Sequence, residues 1–291
     1  GGIMPAPILM VSDSRLVGFA NPWVRPPTAV YSQVALTNFR GVDLLVRQAA
    51  GDVNLTAQPY FGKAPTQIPN AGSDHLTAQI DNMAGLNLGA ELGGWTARVG
   101  YMQAKFTYHS ASIDQLFAGV RSVNAFVPGA AALADSLDAT GKRIRFMSAG
   151  AAYEGGNLLF QAEYAKRKAD FFLGETTSWY TTLGYRHGDL MPYVTLSQVK
   201  MDSPSSDSTI PPVGPLAALS GGVNTLLAGQ NTAQKVVALG MRYQFAKNAD
   251  VKVQWDRVRI PQGSTGGFQH PTPDFTGGNV NVYSATVDFV F

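Results

Sequence analysis

The chain has 291 residues, of which 14% are charged, 45% are hydrophobic and none is cysteine. The charged fraction lies well below the ~25% usual for soluble domains, yet no run of about 18 apolar residues could cross a membrane as a helix. A net charge of +2 argues against a nucleic-acid binder, and the absence of thiols suits a chain that passes through an oxidising compartment. What remains is a membrane protein that crosses with strands, in which only alternate residues face lipid.

In chain order, a first strand is expected near 2–11, weakened by Pro5 and Pro7, which cannot donate to a ladder. A long segment, 12–38, follows. Val42, Leu44 and Val46 then alternate with Asp43, Leu45 and Arg47, and Val53, Leu55, Ala57, Pro59 and Phe61 alternate with polar neighbours. In 78–91 the apolar parity holds except at Asn82. In 95–109 it changes phase, which predicts a β-bulge near Met102. The loop 110–141 carries Ile113, Leu116, Phe117 and Val120 at the spacing of a short amphipathic helix.

Ile144 and Phe146 oppose Arg143 and Arg145 in the next strand, and 158–165, 178–186, 191–201, 237–245 and 251–256 alternate in turn. The last strand runs from Val280 to Phe291, with Tyr283, Ala285, Val287, Phe289 and Phe291 on one face. Glycine- and asparagine-rich turns near 51, 93, 155, 188 and 248 alternate with long loops at 12–38, 62–75, 110–141, 203–231 and 261–278. One connection, near 168–174, is short on the long-loop side. About twelve strands result, an all-β, transmembrane, antiparallel up-and-down barrel with short periplasmic turns and long extracellular loops. The single domain spans 1–291. Aromatic residues at strand ends (Trp95, Tyr185, Tyr243 and Phe289 at the short turns; Tyr60, Phe61, Tyr108, Trp179 and Trp255 at the long loops) fit two interfacial girdles.

No catalytic or metal motif is present. His75, His109, His187 and His270 are scattered, and no H-E-x-x-H, G-x-S-x-G or P-loop occurs. The chain is expected to be neither an enzyme nor a cofactor protein. Charge on the inward parity is more informative. Arg47, Arg98, Arg143, Arg145, Arg186, Arg242 and Lys252 stand against Asp43, Asp81, Glu91, Glu163 and Asp256. Both signs on one wall suit a water-filled channel; they would equally suit a small plugged barrel whose charges pair. Segment 12–38, stiffened by prolines, is a candidate constriction loop, with Arg15 and Arg25 its leading pore residues, facing Asp43 or Asp81; a surface loop exposed outside the cell is the alternative.

The closing strand, Leu239–Ala246, Val251–Val258 and Pro192–Leu196 resemble Gram-negative outer-membrane porins. Met10–Tyr31, with Pro22-Trp23-Val24-Arg25-Pro26-Pro27, resembles an internal stretch of proteobacterial porin-like proteins. That resemblance implies a homotrimer in outer-membrane lipid and lipopolysaccharide, passing ions and small hydrophilic solutes. It implies 16 strands in a complete barrel, hence about four strands preceding this sequence, and a terminal Phe291 read by the assembly machinery. A structural or adhesive barrel whose apolar loops bind a partner is the alternative.

Overall fold

Period-two alternation across most of the chain leaves its backbone groups only one set of partners, the neighbouring strands. The computed structural model describes residues 1–12, 14–34, 36–66, 77–268, 275 and 277–290. Phe291, His75, His270 and parts of the 62–75 and 261–278 loops lie outside the described residues. The strands are β1 (Gly2–Pro5), β2 (Asn38–Asp43), β3 (Val46–Ala50), β4 (Val53–Thr66), β5 (Thr77–Leu92), β6 (Trp95–His109), β7 (Lys142–Gly155), β8 (Leu158–Ala169), β9 (Glu175–Tyr185), β10 (Leu190–Met201), β11 (Gln234–Ala246), β12 (Ala249–Ile260) and β13 (Gly278–Phe289).

All 13 form one sheet, in which each strand from β4 to β13 pairs antiparallel with its sequence neighbour. Both β2 and β3 pair with β4, so they share one place beside it, and β1 pairs with β2. The first strand is therefore shorter than expected: after Pro5 the chain leaves the sheet. Among the described residues β1 and β13 do not pair, and the sheet is open between them.

The outer face is apolar and exposed, with Phe61, Leu86, Leu88, Val99, Tyr101, Leu183, Leu239, Val253 and Val287 along successive strands. Among the described residues no helix is long and apolar enough to cross a membrane. This strand-borne belt is what a lipid-facing barrel wall presents. Tyr60 departs from the expected girdle. It faces inward and is 4% exposed, its ring lying over Gly85 directly across the β4–β5 pair. Tyr193 covers Gly240 in the same way. A side chain at either glycine would run into the ring.

Two expectations about phase are corrected. No bulge occurs in β6, whose register with β7 is continuous from Trp95 to Phe106. The extra residue is in β5, where register shifts on both sides around 81–83 and Asn82 takes φ of 50°. Asn tolerates the left-handed region where most residues do not. Beyond the bulge Ala78 and Ile80 turn inward with Ala104, Phe106 and Tyr108. In β7, Ile144 and Phe146 also point inward, into the buried clusters. The reason is shared: the long-loop ends of β6–β8 pack under a cap.

The cap comprises α2 (Ala111–Ser122), α3 (Ala130–Leu137) and α4 (Ala217–Gly229), while a single turn, α1 (Thr28–Tyr31), lies within the first long segment. Phe117, Val120, Ala130, Ala134, Val223 and Leu227 bury against Phe171 and Phe172 of the short β8–β9 connection. The apolar residues of loops 110–141 and 203–231 are thus covered by one another. Arg121 ties α2 to α3 through Asp135 at 2.8 Å and Asp138 at 2.9 Å.

Burial works against the Asp138 charge, but hydrogen bonds from Thr140 and the Arg121 guanidinium outweigh it and hold the carboxyl below its ordinary value. A depressed carboxylate stabilises the folded state above its unfolded pKa, and that contribution disappears as pH falls through the folded value. Hydrogen exchange in α2 and α3 is therefore expected to accelerate on acidification, and less so in Asp138→Asn. At the bulge, Asn82→Val is expected to lower unfolding stability by about 1–2 kcal/mol and Asn82→Gly to leave it near wild type, read from denaturation in lipid or detergent.

Candidate functional site

The segment between β1 and β2, residues 6–37, leaves and rejoins the sheet at its long-loop end and folds back onto the inner face. Its polar atoms are matched one by one to inward side chains. The Pro7 carbonyl accepts from Asn87 and from Arg98 Nη2, the latter at 3.1 Å. Ser148 Oγ donates to the Ile8 carbonyl at 2.8 Å. Glu163 accepts from the Met10 amide at 2.8 Å and the Tyr31 hydroxyl at 3.0 Å. Thr176 donates to Gln33 at 2.9 Å. These partners come from β5 to β9, so the segment spans the inner wall rather than lying along one strand.

Trp23 is the deepest anchor. It is 1% exposed, its indole N–H reaches Thr182 and Thr195 at 3.0 and 3.1 Å, and its ring meets Tyr180 edge-on at 5.7 Å. Beside it the Val24 amide donates to Gln254 at 3.2 Å, and Arg25 pairs with Asp256 at 3.0 Å. Towards the short turns, Lys252 is fully buried and its ammonium donates to the Gly18 carbonyl at 2.6 Å and to Asp288 at 3.0 Å. Asp250, also fully buried, lies 3.7 Å from Lys252 and 2.7 Å from Arg242. Arg242 in turn bonds the Phe19 carbonyl at 3.1 Å and sits over the Phe19 ring at 4.8 Å.

The segment covers the inner wall of β3–β6 only in part, through Pro7 and Met10 on Asn87 and Arg98. There Arg47, Asn54, Thr56, Gln58, Glu91 and Arg98 line an open cleft of about 850 Å³. Asp43 is on the same wall, accepting from Gln58 at 2.8 Å. Of the charges expected to line a pore, Arg47, Glu91 and Arg98 line this cleft, Arg98 also bonding the segment, and Asp43 adjoins it through Gln58. Glu163, Arg242, Lys252 and Asp256 also face inward, but hold the inserted segment, Asp256 through Arg25 of the segment itself. Arg186 is at the short-turn rim, paired with Glu154 at 3.0 Å.

Arg15 does not reach Asp43 or Asp81; it donates to the Val34 carbonyl at 3.3 Å and lies 5.7 Å from the Tyr31 ring centre. Burial pushes the Arg15 guanidinium below its ordinary pKa. Arg25 likewise finds its acid on β12 instead. Three of the expected pore residues are corrected. Asp81 stands across from Lys105, Lys105 across from Arg143, and Arg145 across from Lys168, all on the outer face. The bulge at Asn82 reverses Asp81, and the inward packing of Ile144 and Phe146 reverses the two arginines.

Asp250, two residues past the turn near 248, is an inward charge that the sequence reading does not single out. Its signal was present in Asp250-x-Lys252-x-Gln254-x-Asp256, a polar row alternating with Val251, Val253 and Trp255. Among the described residues no group of His, Cys, Asp and Glu is arranged to hold a metal.

No family model matches the sequence, and no curated protein matches it. Solved structures do. An anion-selective porin from Comamonas acidovorans superposes with a TM-score of 0.50 at 13% identity, over 88% of this chain and 60% of that one. Salmonella typhi OmpF, in complex with daunomycin, matches with a TM-score of 0.46 at 15% identity, over 86% of this chain and 62% of that one. The chain thus spans about three-fifths of the length of these two porins.

Replacing Lys252 with Met leaves Asp250 and Asp288 without their shared cation. Breaking a buried ion network in this way costs about 3–5 kcal/mol, so Lys252→Met is expected to lower the unfolding midpoint far more than Lys247→Met in the exposed turn. Limited proteolysis within 6–37 should also begin sooner in Lys252→Met. With its continuous antiparallel sheet, lipid-suited outer face and inward-folded segment, the chain has the fold of the porin-like transmembrane β-barrels of outer membranes.

Proposed function

We propose that the chain forms an outer-membrane channel for passive diffusion of ions and small hydrophilic solutes, with residues 12–38 as its constriction loop. The observation that carries this reading is the cleft on the β3–β6 wall: an open space of about 850 Å³ with charges of both signs, beside a segment that packs against inward side chains from β5 to β12. A wall of this kind hydrates a permeating ion and biases it by charge. The porin fold supports the same reading.

Among the described residues the free edges of β1 and β13 are unpaired, which favours a larger barrel. Unpaired backbone groups cannot stand in hydrocarbon, so further strands are expected to close the gap, in keeping with the greater length of the porins it resembles. Assembly as a homotrimer follows from the resemblance. The adhesive alternative has less support, because the apolar residues of the long loops are largely buried against one another.

Planar-bilayer recording tests the reading. The folded protein is expected to conduct. Arg47 is exposed on the cleft wall, so Arg47→Glu should raise the cation-to-anion permeability ratio several-fold, and Glu91→Lys should lower it. Folded protein that carries no current would overturn the channel.

A further inference from the structure

The inserted segment encloses a space of its own, apart from the cleft. Its two arms, residues 5–16 and 34–38, leave between them a cavity of about 180 Å³. Leu9, Val34 and Leu36 line it with buried apolar surface, and Ala6 is buried beside them. All the lining residues belong to the segment and its two ends, and none of them lines the β3–β6 cleft. Leu16, also in the lining, is 78% exposed, so the space is open to solvent.

Two polar groups in this lining lack a full set of partners. Arg15 donates to the Val34 carbonyl at 3.3 Å and lies over the Tyr31 ring, but among the described residues no carboxylate is within ion-pair distance of it. Burial disfavours its charge, and no acid offsets this. Ser12 Oγ accepts from the Ile8 and Leu9 amides at 3.2 and 2.8 Å, which leaves its own hydrogen without an acceptor among the described residues. A half-buried guanidinium and a free hydroxyl hydrogen on one apolar cavity suit a single anion with an apolar body.

We propose that this cavity binds a small monocarboxylate with a compact apolar ring, its carboxylate on Arg15 and Ser12 and its ring against Leu9, Val34 and Leu36. An apolar cavity of ~150 Å³ holds a benzene ring, so the space here admits a six-membered ring together with its carboxylate. The guanidinium fork matches the two carboxylate oxygens. A phosphate or sulfate would bring a second charge and its hydration against three aliphatic side chains, which one cation does not offset.

Such a ligand would change how the segment is held. Among the described residues only two hydrogen bonds join the arms beyond the β1–β2 ladder, the Ala6 amide to the Thr37 carbonyl at 2.9 Å and Arg15 to Val34. A molecule gripped by both arms ties them together, which makes the cavity an effector site on the constriction segment, separate from the solute path along β3–β6. Its effect on current rests on the channel reading; binding itself does not.

The test uses the folded full chain in neutral detergent at neutral pH, with binding read by calorimetry against detergent alone. Cyclohexanecarboxylate is expected to bind and to slow limited proteolysis within 6–37. Cyclohexanecarboxamide, which keeps the ring without the charge, and acetate, which keeps the charge without the ring, should each bind roughly ten-fold or more weakly. Arg15→Gln should weaken binding of the carboxylate by roughly ten-fold or more and leave the amide unchanged. Ala6→Leu, which fills the cavity and keeps the cation, should abolish binding of both. Should a variant not fold, the three probes on the unaltered protein decide.

No binding of the ring carboxylate, equal affinity for its amide or for acetate, or binding untouched by both substitutions would overturn the proposal. Conductance recorded in parallel separates the two readings: current without binding removes only this site, and binding without current removes only the channel.

Discussion

A backbone in hydrocarbon has no water to bond with, so every amide and carbonyl must find a partner within the protein. Much else in this molecule follows from that requirement. It forces the long ladders from β4 to β13, and the ladders force side chains to alternate between lipid and interior. Two faces of opposite character can then be read from a sequence of ordinary hydropathy. It also explains why a bulge is placed where it is. An extra residue in β5 breaks the ladder only where Asn82 can take the required backbone conformation, at the level where the strands rise towards the cap.

The inner face answers a different problem. A long segment folded against a sheet carries its own amides and carbonyls, and each must be met by a side chain from the wall. Glu163, Asn87, Arg98, Ser148, Gln254 and Lys252 do this from five strands. Because they are distributed over the wall, they fix the path of the segment as well as its attachment. Buried ion networks are weak contributors to net stability; here the Arg242–Asp250–Lys252–Asp288 network holds Gly18 and Phe19 in place and confines the free space to the other side of the barrel. The open cleft and the filled wall are two consequences of one placement.

Strand identity was legible in the sequence because period two is a local signal. The faces of β8 to β13 were legible too, since there the outward residues meet lipid along most of their length. The reading failed at the loop ends of β5 to β7. Apolar residues such as Ile80, Phe106 and Phe146 are buried there beneath helices that follow later in the chain, so apolar no longer means outward. Asn82 marked the disturbance, but one residue cannot say which of two paired strands carries the bulge. The anchors of the inserted segment were beyond local reading. Trp23 finds Thr182 and Thr195 across more than half the chain, and nothing near Trp23 specifies those hydroxyls. Arg25 was legible as an inward cation, but its partner Asp256 was not.

The tryptophans divide along the same boundary. The chain has four: Trp95, Trp179 and Trp255 stand on the outer face, and Trp23 alone is enclosed between the inserted segment and the wall. A quencher dissolved in the acyl chains reaches the first three and is screened from the fourth. The residual fluorescence under such a quencher is the emission of one indole hydrogen-bonded to two threonine hydroxyls. The fold thus contains an optical label on its innermost loop, spectrally separable from the lipid-facing rings without any chemical modification.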